Sequence, residues 1–243
     1  MQTKNIAIIA SVVVGIAIVG VAAATQYYVQ DPLDIYAVDS ETVGVLLDSK
    51  RNILLVDTRT AEQYQSGHMF GASHDILDSQ TLEKRVKTIQ SRLPEVASSH
   101  YVVLVDDDGS QAKQMAQTMT EMGIQTFYLD GGMNSVSENI VSGTQTVIDS
   151  QELTERLANN DDLYLLDVRE PSELLESKID GAVNIPLAEI FKPNGMDQIP
   201  TDKPVVVICG SGNRATIATY ALAQEGIDFQ VLEGGMIAWN SNL

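Results

Sequence analysis

The 243-residue sequence predicts an α/β protein of two repeated domains, each a mostly parallel sheet flanked by helices, after an N-terminal hydrophobic helix. Three observations predict it. The chain repeats itself at a spacing of 110 residues, each half alternates short apolar runs with helical periodicity, and a single cysteine stands between an apolar run and a glycine-rich turn. Alternation of this kind implies parallel strands covered by helices on both faces, with ligands beyond the carboxyl ends of the strands.

The first element is the hydrophobic one. Ile6 to Ala24 holds 19 uncharged, mostly apolar residues, after Lys4 and before Asp31 and Asp34. As a helix it would be roughly 28 Å long, close to the hydrocarbon thickness of a bilayer. Positive charge before the span and acid after it direct the bulk of the chain outside the cytoplasm. Residues 1–30 therefore read as a signal anchor, with a signal peptide as the rival because Ala22-Ala23-Ala24 offers a small-residue cleavage site. The protein is expected to be membrane-anchored through residues 6–24 and facing outward, or secreted or periplasmic if that segment is cleaved. The 33 acidic and 15 basic residues leave a net charge of −18, which argues against a nucleic-acid partner and for a solvated acidic surface.

The repeat defines the rest. Ile53-Leu54-Leu55-Val56-Asp57-Thr58-Arg59 recurs as Leu163-Tyr164-Leu165-Leu166-Asp167-Val168-Arg169, and Val38-Asp39-Ser40 and Gly71-Ala72 recur at the same offset of 110. Further on, Leu129-Asp130-Gly131-Gly132-Met133 recurs as Leu232-Glu233-Gly234-Gly235-Met236, offset by 103. The first half thus carries seven extra residues after Gly71, expected in the polar helix from Asp78 to Leu93. A period this long means two homologous domains, 36–138 and 146–243, with a linker from Glu138 to Gln145 where Ser, Gly, Asn and Thr gather. In the second half, strands are expected near 163–167, 182–185, 204–208 and 228–232. In the first, a helix over 110–122 places Ala112, Met115, Ala116, Met119 and Met122 on one core-facing stripe.

Cys209 follows the apolar run Val205-Val206-Val207-Ile208, and Gly210-Ser211-Gly212-Asn213-Arg214 lead into a helix over Ala215 to Gln224. A free cysteine is otherwise among the most buried residue types. Cradled by loop N–H groups before a helix N-terminus, this one sits where a thiolate is stabilised. A lone thiol cannot form an internal disulfide and is a liability in an oxidising compartment unless used. His68, His74 and His100 all lie in the first half, so no Cys–His pairing or metal cluster is expected, and no cofactor.

The chain resembles the rhodanese superfamily in its tandem form. Four landmarks occur in order: Asp167-Val168-Arg169-Glu170-Pro171, Gly181-Ala182, the Cys209-to-Arg214 loop, and Leu232-Glu233-Gly234-Gly235 with Ala238-Trp239. The resemblance covers about residues 36 to 243 and implies a sulfurtransferase. Cys209 would take sulfane sulfur from a small donor (thiosulfate or a persulfide) and pass it to a thiol or cyanide acceptor, a partner-protein thiol included. Gly210, Ser211, Gly212, Asn213 and Arg214 would bind the substrate through their N–H groups. Arg214 adds a fixed charge or ties the loop to a carboxylate, both roles being open. Asp167 and Arg169 are assigned to structural support. Cysteine-dependent phosphatases place five residues between Cys and Arg, whereas four stand here, which argues against that chemistry. A non-catalytic, membrane-tethered binding or sulfur-carrier module is the alternative.

The two halves differ at the nucleophile. The offset of 103 puts Asp106 at the cysteine position and Gln111 at the arginine position, so the first domain is expected to be inactive. Asp106-Asp107-Asp108 reads as a solvated helix N-terminus favoured by the dipole. In the second domain Gly210 stands where thiosulfate-handling relatives often carry a basic residue, so a persulfide donor fits as well as thiosulfate.

Overall fold

The computed structural model describes residues 36–49, 52–143 and 146–242. The hydrophobic helix expected at residues 6–24 lies outside them. Among the described residues no helix is long and apolar enough to cross a membrane.

The first unit runs β1 (Ala37–Val38), α1 (Ser40–Asp48), β2 (Ile53–Asp57), α2 (Ala61–Ser66), β3 (His68–Met69), β4 (Ala72–His74), α3 (Ser79–Arg92), α4 (Pro94–Ser99), β5 (Tyr101–Val105), α5 (Ser110–Glu121) and β6 (Thr126–Leu129), then a 3-10 turn at Gly132–Ser135. After β7 (Ile140–Val141) the second unit runs β8 (Val147–Ile148), α6 (Ser150–Ala158), β9 (Tyr164–Asp167), a 3-10 turn at Glu173–Leu175, β10 (Val183–Asn184), α7 (Leu187–Ile190), β11 (Val205–Ile208), α8 (Asn213–Gln224), β12 (Phe229–Leu232) and α9 (Gly235–Ser241).

The sheets are ordered β1-β6-β5-β2-β4 and β8-β12-β11-β9-β10, all pairs parallel, so the repeat in the sequence is a repeat of topology. The edge strands β1 and β8 are two residues long, too short to read as strands from sequence alone. Each is followed by the same aspartate cap: Asp39 accepts from the Thr42 N–H at 2.7 Å, Asp149 from that of Glu152 at 2.8 Å. Within the expected linker, β7 (Ile140–Val141) pairs antiparallel with β3 (His68–Met69).

Central strands are apolar along their length because both faces are covered. Leu54 and Val56 face one cluster, Ile53 and Leu55 the other. Val205 and Val207 likewise face inward to the same large cluster as Leu54, while Val206 and Ile208 face the opposite side. One core therefore runs through both units. At its centre lies α8, in which Ala215 and every residue from Ile217 to Ala223 is buried. A helix buried over so much of its circumference must be covered from more than one side. Its neighbours are its own β11 and β12 and, across the junction, β2 and β4 of the first sheet. The hydroxyls of Ser73 and Thr219 meet there at 2.6 Å.

The seven extra residues of the first half fall between β4 and β5, where the first unit has the long α3 and the following α4 and the second has the four-residue α7. Because α8 belongs to the core of both units, the pair is expected to unfold together. Scanning calorimetry should give one transition with equal calorimetric and van't Hoff enthalpies; two resolved transitions would contradict a shared core.

Candidate active site

The carboxyl end of β11 delivers the chain into a tight loop. Gly212 turns it into α8 with φ = +92°, a conformation that favours glycine. The loop is held from below by α9: the Met236 N–H donates to the Cys209 carbonyl at 2.8 Å and the Ile237 N–H to that of Gly210 at 3.0 Å. The approach is so close that a Cβ on Gly235 would lie 2.3 Å from the Cys209 carbonyl oxygen. The paired glycines Gly234-Gly235 are therefore a buttress for the cysteine loop.

Cys209 is 1 % exposed. Its Sγ accepts the Gly212 N–H at 3.1 Å. Ser211 is the exposed residue of the loop, and Gly210, Gly212 and Arg214 are partly buried. His68 stacks on Tyr64, His74 tilts against the same ring, and His100 packs edge-on to Phe191.

The first unit shows what the loop holds. The Asp106 carbonyl accepts from Met133 at 2.8 Å and that of Asp107 from Asn134 at 3.0 Å, the same buttress that carries Cys209. A Cβ on Gly132 would meet the Asp106 carbonyl oxygen at 2.6 Å. Asp106 thus stands at the cysteine position. Its carboxylate accepts the N–H groups of Gly109 at 2.5 Å, Gln111 at 2.8 Å and Ala112 at 3.0 Å. Asp106 is only 7 % exposed, which corrects the expectation of a solvated helix N-terminus: its charge is met by the loop's own donors. Asp107 and Asp108 are exposed as expected, taking the Gln63 amide and the Ser110 N–H. The first cradle is filled by its own side chain and has no nucleophile.

Arg214 is committed to a carboxylate. Its Nη1 and Nη2 donate to Glu173 Oε2 at 2.6 Å and Oε1 at 2.7 Å, a bidentate pair. These bonds hold the Glu173 carboxyl down at about 2. Glu173 Oε2 also accepts the Glu170 N–H at 3.1 Å. Sequence reasoning missed Glu173, although a signal existed in the repeat. Gln63 stands at its position in the first half and Gln111 at that of Arg214, so both partners of the pair differ together.

Asp167 and Arg169 form a buried pair, with Arg169 donating from its N, Nε and Nη2 to the carboxylate and from Nη2 to the Ser177 carbonyl at 2.8 Å. Asp57 and Arg59 repeat it with Gly67. The Asn213 side chain points away from the thiol. Its Nδ2 donates to Thr88 Oγ1 at 2.7 Å and its Oδ1 accepts from Arg85 Nη1, both on α3. Arg92, further along α3, reaches Glu170 at 3.2 Å.

The family model of the rhodanese-like domain matches residues 42–139 and again 149–242. A protein named sulfurtransferase from Allochromatium vinosum is 41 % identical over 93 residues, 38 % of this chain and 85 % of its own. The putative sulfurtransferase YtwF of Bacillus subtilis is 38 % identical over 92 residues, 38 % of this chain and 87 % of its own. The structure of a rhodanese-related protein from Thermoplasma volcanium aligns at 33 % identity over 40 % of this chain and 91 % of that one, with a TM-score of 0.36.

A depressed carboxyl stabilises the fold above its unfolded value, near 4.5, and that contribution is lost as pH falls through about 2. Glu173 is a third exposed, so screening limits its effect; Glu173→Gln is expected to cost about 1 kcal/mol at neutral pH. The gap between wild type and variant in urea denaturation should shrink to less than half by about pH 3. A gap independent of pH would mean that the pair does not act through charge.

Proposed function

The chain belongs to the rhodanese-like domain family, and we propose that its second domain moves sulfane sulfur from a donor to an acceptor through a persulfide on Cys209. The observation that carries this reading is the Asp106 carboxylate in the first domain. From the Cβ of Asp106 to its oxygens is two bonds, the reach from the Cβ of Cys209 to the outer sulfur of a persulfide. Three N–H groups receive the carboxylate there, and the 103-residue offset maps them to Gly212, Arg214 and Ala215. In the second domain the Gly212 N–H already meets Sγ. The Arg214 and Ala215 N–H groups are then left for the outer sulfur, whose negative charge they stabilise.

The steps follow. The Cys209 thiolate attacks the outer sulfur of thiosulfate or of a small persulfide. An Sγ–S bond forms, the donor's S–S bond breaks, and sulfite or a thiolate leaves with the electron pair. A thiolate or cyanide then attacks the outer sulfur, the Sγ–S bond breaks, and the Cys209 thiolate returns. Arg214, matched by Glu173, supports the loop's shape more than it attracts anions, which favours a persulfide donor over thiosulfate. Attachment through residues 6–24, with the globular part outside the cytoplasm, belongs to this reading and rests on span length and flanking charge.

The near-complete burial of Cys209 favours one second reading, a sulfur carrier that loads and holds sulfur without turnover. Intact mass after incubation with thiosulfate, and separately with a low-molecular-weight persulfide, tests both. A gain of roughly 32 Da, absent in Cys209→Ser and discharged by cyanide or a thiol, is the expected result. A gain that no acceptor discharges favours the carrier, and no gain with a thiol that still alkylates rejects both.

A further inference from the structure

The first domain, empty of its own chemistry, sends one helix into the second domain's site. Arg85, Thr88 and Arg92 lie at helical spacing along α3, on one face, and all three contact the second domain. Two of them fix Asn213. Arg85 donates to the Asn213 Oδ1, and the Thr88 hydroxyl, which donates to the Lys84 carbonyl at 2.9 Å, accepts the Asn213 amide at 2.7 Å. Both ends of that side chain are therefore held by the other domain.

Arg85 is itself held. Its Nε and Nη2 donate to Asp75 Oδ2 at 2.7 Å and Oδ1 at 3.0 Å, and the Tyr220 hydroxyl of α8 donates to the same carboxylate. Burial, reinforced by the charge of Asp75, pushes the Tyr220 phenol well above its ordinary value, so it stays neutral and donates. Asp75, Arg85 and Asn213 are all under 9 % exposed. A buried ion pair is a weak source of stability compared with apolar packing, and the surroundings here are apolar. What this network does that packing would not is fix the rotation of one amide. Asn213 is the first residue of α8, and the N–H of Gly212, immediately before it, is the donor to the Cys209 sulfur.

We propose that Arg85 and Thr88 of the first domain are positioning residues for sulfur transfer, holding Asn213 so that the loop's N–H groups aim at the Cys209 sulfur. The assignment rests on the sulfurtransferase reading for its catalytic consequence, but not for its effect on the thiol. It also gives a task to the part of the first domain that is expanded, since the seven extra residues fall between β4 and β5, the segment that carries α3.

The test uses the full chain as wild type, Arg85→Lys, Thr88→Val and the double variant. The charged groups on the elements around the cysteine loop include Arg214 on α8, Glu173 and Glu170 after β9, the Asp167–Arg169 pair at the end of β9 and, bonded to Asn213, Arg85 with Asp75. Arg85→Lys keeps all of these charges, including a cation for Asp75, but lacks the second arm that reaches Asn213. Two readouts are taken: the pH profile of Cys209 alkylation by iodoacetamide without any sulfur donor, and kcat and KM for sulfur transfer from a persulfide donor. Each variant is expected to raise the alkylation midpoint by about half a unit or more. kcat should fall on the order of tenfold, with KM changed much less. An unchanged alkylation profile and kcat, whatever happens to the melting temperature, would overturn the proposal. Should Arg85→Lys fail to fold, Thr88→Val decides alone, since it removes one hydroxyl from a half-buried helical position. A wild type that alkylates normally but accepts no sulfur rejects the sulfurtransferase reading and leaves the alkylation comparison to judge the positioning.

Discussion

Helix α8 has almost no face to give to water, and the rest of the molecule is arranged around that fact. Its alanines and Ile217, Tyr220 and Leu222 are buried on every side, so one sheet alone cannot satisfy it. The second sheet covers one side and the first sheet, with α3, covers the other. The same helix begins at the cysteine loop. The demand for burial along α8 therefore places the first domain beside the chemistry, and makes a polar network at the junction necessary wherever hydroxyls and charges come along.

The repeat serves as an internal control. Both loops hang from a glycine pair whose following N–H groups take the loop carbonyls, and both sheets end in an Asp–Arg pair that reaches back to a carbonyl eight residues on. The frame is thus independent of the chemistry it carries. At the loop the differences that change the chemistry are Asp106 for Cys209 and two glutamines for Glu173 and Arg214. In one domain the donors close on a carboxylate that is covalently part of the loop. In the other the Gly212 N–H meets the sulfur of Cys209 instead.

Much of this was legible in the sequence. Long apolar runs announced β2, β9 and β11 because strands covered on both faces have no polar side to confuse the pattern. The glycine turn announced the loop, and the two offsets placed the expansion after Gly71, in the stretch that carries α3 and α4. The two-residue edge strands β1 and β8 were not legible, since so short a segment carries no period, although the equally short β10 falls within the strand expected near 182–185. Glu173 was missed because a single glutamate in a polar turn looks like any surface acid; only its joint replacement with Arg214 between the halves marks it. The contacts of Arg85 and Thr88 were invisible for another reason. On their own helix they are ordinary polar positions, and their partners stand 128 and 125 residues away.

The matched pair of Arg214 and Glu173 also governs how the site senses its surroundings. A chain with a net charge of −18 repels anions at long range, and at physiological salt that repulsion extends over about 8 Å. At the loop itself the guanidinium charge is already answered by a carboxylate and cannot restore the attraction. Added salt therefore weakens the repulsion that an approaching anion meets, while an uncharged molecule approaches much alike in dilute and in concentrated media.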